Sequence, residues 1–422
     1  MKAGKKNSHT VSQPEIPQSF IDKMESQIGA EECAQLVAAL NDSPSVSIRL
    51  NRKKVNEPGS FISRFKDYGV TPVEWCDAGF YLDRRPDFAH DPLLHAGAYY
   101  VQEAASMIYE SVGRQLLPGL KAGIGSCLRV LDLCAAPGGK TTALLNALEG
   151  NYILVANEYD RKRAKILKEN LDKWGDPNVI ITNSNTEAFS RMEDYFDVVA
   201  VDAPCSGEGM MRREAVARTQ WSTGLVESCA ALQRVILNDA AATLKPGGFL
   251  IYSTCTFNPE ENEQNAAWLE NLNGLLPVIP PRRFMPHREK CEGLFVAAFQ
   301  KPGADLANGC RGGVESVARD LIKRKINILS VGTELTVKKG ETEIPSSRAV
   351  LAYDYDRKQF PSVNISLQEA VAYLRGNPLV LPEDVPQGYV TVCFDGFPLG
   401  LVKNIGSRAN NLYPREWRLR PH

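Results

Sequence analysis

The chain is 422 residues long, 43% hydrophobic and formally close to neutral, with a net charge of −1. That length suits two or three domains with sizeable cores, and the composition is that of a globular protein rather than a disordered or fibrous one. The balanced charge excludes a global attraction to polyanions and leaves that task to local basic faces. The sequence also lacks any apolar run of the roughly 18 residues that a membrane-spanning helix requires.

Residues 1–14 are polar and read as a flexible tail. Their positive charge has no apolar segment behind it, so they do not read as a secretory signal, and a cytoplasmic protein is expected. The ten cysteines include no Cys-x-x-Cys pair, so no metal site is expected. Free thiols in a reducing compartment are the natural reading, each by default a small buried hydrophobe.

Organised sequence begins near Pro17. Phe20, Met24 and Ile28, then Cys33, Leu36 and Leu40, repeat at helical spacing, and residues 46–51 alternate like a strand. Phe61, Ile62 and Phe65 suggest another helix, and residues 73–82 a strand pair. Residues 95–106 start like a strand and finish like a helix. Tyr99, Tyr100 and Gln102 in this stretch read first as packing and second as the lining of a ligand channel.

From residue 129 strands and helices alternate. Strands are expected at 129–134, 153–158, 179–182, 197–202, 248–254 and 293–299. Helices are expected at 140–148, 161–174, 225–244 and 260–272. This βαβ series predicts a mostly parallel sheet covered on both faces. Residues 302–313 read as a linker. Strand-like stretches at 348–355 and 388–394 and one short helix at 367–374 follow. The chain ends on a basic tail in which Tyr413 and Trp417 interleave with Arg408, Arg415, Arg418 and Arg420. Such a tail suits nucleic acid, with a solvated surface as the plain alternative.

Three motifs carry chemistry. The stretch 132–142, DLCAAPGGKTT, places a glycine turn between a strand and a helix. This is how a doubly wound sheet presents a nucleotide-like ligand. It ends like a phosphate-binding loop, but Cys134 stands where that loop needs its first glycine, and G-x-G-x-x-G is absent. A nucleotide triphosphatase and a dinucleotide site are therefore both disfavoured. Glu158 ends the next strand, where a carboxylate can take ribose hydroxyls. The fourth strand ends in Asp202 and Cys205, and the fifth in Thr254 and Cys255. Two thiols at neighbouring strand ends, beside a ligand loop, suit covalent catalysis. A thiolate can add to carbon 6 of a pyrimidine and make carbon 5 nucleophilic toward a methyl donor. The residues alone do not decide which thiol attacks.

These motifs also carry a resemblance. DLCAAPGGKTT, DAPCSGEGMMRR and STCTFNPEENE are similar to the central motifs of the Sun/RsmB/RsmF family of RNA cytosine-5 methyltransferases. NRKK at 51–54, HAGAYYVQEAASM at 95–107 and PHREKCEGLFVAAFQK at 286–301 agree. Residues 399–419 resemble the extra RNA-binding domain of small-subunit ribosomal RNA methyltransferases in that family.

The resemblance implies an α/β protein. Its core would be a Rossmann-like class I methyltransferase domain, flanked by a small α+β N-terminal unit and a β-rich, PUA-like C-terminal domain. The implied division is an RNA-binding unit at 15–125, the methyltransferase domain at 126–301 and an RNA-binding region at 314–422. Cys255 would be the nucleophile, and Cys205 would assist proton removal and product release. Asp202 would hold the cytosine with Lys140 nearby. The cofactor, S-adenosyl-L-methionine, would lie on Cys134, Ala135, Ala136, Pro137, Gly138, Gly139 and Lys140, with Glu158 on the ribose and Asp202 and Arg163 beside it. Asn185 stands where the family usually has an Asp facing the adenine, and Cys291 where it usually has a Gly. The implied partner is ribosomal RNA, naked or in the assembled small subunit, bound by a monomer. The alternatives are the same chemistry on transfer RNA, and a non-catalytic RNA-binding assembly factor.

Overall fold

The computed structural model describes residues 14–120, 127–303 and 313–420. Nearly all of the expected tail and most of the expected linker lie outside them. Four strands, β1 (Val46–Leu50), β2 (Val70–Val73), β3 (Cys76–Leu82) and β4 (Tyr99–Val101), form an antiparallel sheet in the order β2-β3-β1-β4. Two helices, Gln18–Ile28 and Ala30–Asn41, precede it and are separated at Gly29. Their apolar face does not join that sheet. Phe20, Met24, Leu36 and Leu40 pack with Trp221, Phe257 and Met285 of the large domain.

The large sheet has eight strands: β5 (Leu128–Asp132), β6 (Tyr152–Asn157), β7 (Val179–Thr182), β8 (Phe196–Asp202), β9 (Leu244–Thr254), β10 (Leu276–Phe284), β11 (Leu294–Gln300) and β12 (Ile328–Val331). Their order is β10-β11-β9-β8-β5-β6-β7-β12. The five strands β5 to β9 run parallel, and β10, β11 and β12 pair antiparallel at the two edges. Strands buried on both faces are apolar at nearly every position, as the runs YILVA in β6, VVAV in β8 and FLIY in β9 are. One face is covered by the helices Thr223–Thr243, Glu263–Asn273 and Gly313–Lys323 through Ile236, Leu237, Leu269 and Leu321. The other is covered by Ile108–Leu116, Gly139–Ala147 and Arg161–Trp174 through Tyr109, Leu144, Leu167 and Leu171.

Two sequence expectations differ from this arrangement. The sheet does not end at residue 301, because Gly313–Lys323 packs on it and β12 adds its eighth strand beside β7. That helix buries Val317, Ala318 and Leu321, an amphipathic pattern that follows directly on the glycine-rich stretch. Residues 348–355 are not a strand. Ala349–Leu351 is a short 3-10 turn that buries Val350 and Leu351. Among the cysteines, eight are free thiols, whereas Cys127 is disulfide-bonded.

Beyond β12 come a hairpin, β13 (Thr336–Lys339) with β14 (Thr342–Pro345), and a four-stranded sheet, β15 (Ser362–Asn364), β16 (Gly388–Phe394), β17 (Phe397–Asn404) and β18 (Ala409–Asn411). The helix Leu367–Leu374 covers that sheet and starts with a capping box of Ser366 and Glu369. No helix among the described residues is long and apolar enough to cross a membrane.

Several side chains fix the small N-terminal sheet to the large domain, among them Asn51 to Trp174 O, Lys53 to Asp176, and a buried arginine. Arg49 on β1 is fully buried; its Nε donates to Gln102 Oε1 at 2.7 Å, its Nη1 to Thr142 O at 3.1 Å and its Nη2 to Thr142 Oγ1 at 2.5 Å. The guanidinium also lies 4.8 Å from the Trp174 ring centroid. Arg49→Ala would leave those acceptors buried without donors. We expect a loss of about 2–4 kcal/mol in urea unfolding, the scale for removing one side of a buried charge-assisted network.

Candidate active site

The strand β5 is flanked by β6 on one side and β8 on the other, so successive connections leave it in opposite directions and open a crevice at its carboxyl end. The loop 133–138 lies there. Gly138 adopts φ 109°, a left-handed conformation, and a Cβ on it would meet Leu167 Cδ1 at 3.3 Å. It precedes the helix Gly139–Ala147, which has no side-chain cap. The first N–H groups of that helix are thus open to a ligand. Two side chains hold the loop from outside. Arg163 Nη2 donates to Ala136 O at 2.7 Å, and Asn170 Nδ2 to Pro137 O at 2.8 Å.

Asp132, at the end of β5, accepts from Thr141 Oγ1 at 2.6 Å, yet burial pushes its carboxyl up to about 7. The folded state therefore holds this proton more tightly than the unfolded chain does. Stability from this group is present below the unfolded carboxylate range and is lost as pH rises through about 7. Asp132→Asn should flatten that dependence, seen as a smaller fall in unfolding free energy between pH 5 and 8.

Strands β8 and β9 run side by side with Asp202 opposite Ser253. That register brings the turns after them into contact. Cys205 Sγ lies 3.1 Å from Cys255 Sγ. The hydrogen bond to Cys255, burial, and the negative charges of Cys255, Glu261 and Asp202 together push the Cys205 thiol well up. Asp202 Oδ2 pairs with Lys140 Nζ at 2.8 Å, and its Oδ1 accepts from Ser253 Oγ at 2.7 Å. Burial alone would lower the Lys140 ammonium. The charge and hydrogen bond of Asp202 outweigh it, and the net shift is upward, which keeps Lys140 charged.

Behind the thiols a buried polar network locks the two turns together. Glu261 Oε2 accepts from Ser206 N at 2.9 Å and from Gln233 Nε2 at 2.7 Å, while its Oε1 accepts from Asn258 Nδ2 at 2.7 Å. Glu208 accepts from Phe257 N at 2.6 Å, Asn258 N at 3.0 Å and Trp221 Nε1 at 3.0 Å. Each carboxylate spans from one cysteine turn to the other, so neither thiol can shift without breaking charge-assisted bonds. Sequence reasoning missed Glu208, Glu261, Asn258 and Gln233. The only signal was the run of carboxylates shortly after Cys255, Glu260, Glu261 and Glu263, with the single Glu208 after Cys205.

Most of the residues singled out in the sequence meet at this edge. Cys134, Ala135, Ala136, Pro137, Gly138, Gly139 and Lys140 form the loop and helix start, and Asp202, Cys205 and Cys255 line the neighbouring strand ends. Glu158 follows β6; its Oε1 accepts from Asp160 N at 2.8 Å and its Oε2 lies 3.5 Å from Arg163 Nη1. Tyr159 beside it is 75% exposed, an aromatic face at the same strand end. Asn185 is exposed, and its Oδ1 accepts from Ala188 N at 3.1 Å within its own turn. The residue tied to Glu158 is Asn183, whose Nδ2 donates to the carbonyls of Glu158 and Tyr159 at 2.7 and 2.8 Å. Cys291 is fully buried. Tyr100 and Gln102 touch the helix start, since a Cβ on Gly139 would lie 3.5 Å from Tyr100 and 3.6 Å from Gln102. Tyr99 points away, donating to Asp91.

Comparison with known proteins adds three family matches. The family described as 16S rRNA methyltransferase RsmB/F matches residues 126–300. The N-terminal domain of 16S rRNA methyltransferase RsmF matches residues 16–104, and the methyltransferase RsmF PUA domain matches residues 360–419. Ribosomal RNA small subunit methyltransferase F of Enterobacter sp. (strain 638) is 30% identical, over 95% of this chain and 95% of its own. Its counterpart from Cronobacter sakazakii is 31% identical, over 95% and 96%. Among solved structures, a methyltransferase homolog protein from Pyrococcus horikoshii superposes with a TM-score of 0.58 at 26% identity, covering 68% of this chain and 95% of that one. NSun6 from the same organism gives 0.57 at 20% identity, covering 69% and 99%, and speaks to the fold alone.

Proposed function

This chain belongs to the 16S rRNA methyltransferase RsmB/F family, and from that premise we propose that it transfers a methyl group from S-adenosyl-L-methionine to carbon 5 of a cytosine in 16S rRNA. The observation that carries the reading is the pair of thiols 3.1 Å apart at the ends of β8 and β9, beside the loop 133–138. At that separation one sulfur can attack carbon 6 of a pyrimidine ring while the other serves the release that follows.

The residues of the crevice fit the cofactor. The uncapped helix start offers N–H groups to a carboxylate, Gly138 leaves room for close backbone approach, and the buried carboxylate of Glu158 suits ribose hydroxyls. Arg163 braces the loop from behind, and Asn185 is the candidate for the adenine edge. S-adenosylmethionine, when bound, supplies an electrophilic methyl group. Glu158→Ala is expected to weaken its binding about 10- to 100-fold, the range for losing a hydrogen bond to a charged group, as read by calorimetry.

In the proposed cycle the Cys255 sulfur adds to carbon 6 of the cytosine and forms a C–S bond. The displaced electron pair makes carbon 5 nucleophilic. Asp202, oriented by Lys140 and Ser253, holds the ring through its polar edge. After carbon 5 has gained its methyl group, the proton on that carbon leaves, the C5=C6 bond re-forms and the C–S bond breaks. Cys205 serves that second half. Residues 15–125 and the region beyond β12 are read as the units that hold the RNA, and 126–301 together with the helix Gly313–Lys323 and β12 as the catalytic domain.

Bisulfite mapping of 16S rRNA from cells with and without the protein tests this directly. A cytosine protected only when the active protein is present is the expected result. An unchanged map would remove the ribosomal substrate, and transfer RNA would then be mapped in the same way.

A further inference from the structure

The stretch between the matched ranges, 301–359, holds a feature that the catalytic reading does not use. The hairpin β13–β14 stands against the final segment of the chain and leaves a groove of about 410 Å³ between them. Five cationic side chains line it, Lys338, Lys339, Arg348, Arg415 and Arg418, against one acid, Glu416. Arg348 is spent. It pairs with Asp172 at 3.0 Å, Glu416 at 2.6 Å and also Glu334, and so bolts the groove to the methyltransferase helix Arg161–Trp174. The other four cations have no carboxylate partner among the described residues, and Lys338, Lys339 and Arg415 are exposed. The Tyr413 hydroxyl, in the same lining, is a buried group without a hydrogen-bond partner among the described residues.

We infer that this groove binds the phosphate backbone of the substrate RNA. Unpaired cations gathered in a concave site focus a positive field, although the whole chain carries a net charge of −1. An unspent arginine such as Arg418 presents the planar fork that suits phosphate oxygens. Phosphate contacts position a nucleic acid without reading its sequence. The groove lies by Asp172, at the carboxyl end of the helix Arg161–Trp174, whereas the catalytic crevice lies by the amino end of that helix. It therefore holds the RNA remote from the thiols, and its contribution falls on substrate capture and not on the chemical step. The inference rests on RNA being the substrate.

The test is the triple variant Lys338→Glu, Lys339→Glu, Arg415→Glu, with Arg348 and Arg418 left in place to keep the fold. A second triple variant, Arg191→Glu, Arg319→Glu, Lys323→Glu, makes the same charge change on exposed surface of the catalytic domain, away from the groove and from the N-terminal unit. Binding of a 16S rRNA fragment is measured over a salt series, together with methyl transfer and S-adenosylmethionine affinity. The groove variant is expected to bind RNA at least tenfold more weakly. Its salt slope should fall by about 2, the release expected for two to three lost phosphate contacts. The KM for RNA should rise while kcat and cofactor affinity stay at the wild-type values. Unchanged RNA affinity and slope in the groove variant, or an equal loss in the second variant, would overturn the inference. Failure of the wild type itself to bind or methylate RNA would instead strike the functional reading.

Discussion

Cys255→Ala is expected to lose methyl transfer by about 10⁴-fold or more, the scale seen when a covalent nucleophile is removed, while binding S-adenosylmethionine as the wild type does. Cys205 is held protonated by its hydrogen bond to Cys255, by burial and by Glu261 and Asp202. A thiol in that state is a poor attacking group, since the thiolate is the nucleophile. In the proposed cycle the attack falls to the partner sulfur 3.1 Å away, the role that the family resemblance implies for Cys255. The carboxylates at the edge do not replace it: Asp202 is tied to Lys140 and Ser253, and Glu208 and Glu261 are committed to the turns behind. Single-turnover methyl transfer on RNA, with cofactor affinity measured in parallel, checks both halves. Residual turnover within tenfold of wild type would assign the attack elsewhere.

Much of this site was legible because its signals are local. A glycine turn between an apolar strand and a helix marks itself in a dozen residues, as 132–142 does. The meeting of Cys205 and Cys255 was legible one step further out. Two strands of a βαβ series joined by one long helix are neighbours by default, and their carboxyl ends fall at one edge. What escaped was non-local. The helix Gly313–Lys323 and β12 follow a stretch that reads as a linker, and only the open edge of β7 explains why the chain returns there. Arg49 looks like any strand residue, yet its bonds lie 53 and 93 positions away. Glu208 and Glu261 are charged, and charge in sequence reads as surface. Here each is buried because it accepts several bonds at once from two turns. Residues 348–355 show the converse. Val350 and Leu351 have strand-like composition, but they are buried in a turn beside the helix Arg161–Trp174, and Tyr353 N donates to Gly175 O.

Cys205→Ala should behave in the opposite way to Cys255→Ala and accumulate a covalent protein–RNA adduct, visible as a shifted band on a denaturing gel. The reason lies in the place of Cys205, whose sulfur is 3.1 Å from that of Cys255 and so next to the ring once Cys255 is bonded to carbon 6. In the proposed cycle Cys205 gives its proton to water and, as the thiolate, takes the proton from carbon 5, directly or through one water, as the C5=C6 bond re-forms and the C–S bond breaks. Without Cys205, attack and methylation proceed but elimination slows by about 10²–10⁴-fold, the usual contribution of a positioned acid–base group. The band should be absent from Cys255→Ala and from the double variant. An adduct in Cys255→Ala would reverse the two roles, and none in Cys205→Ala would leave release to another group.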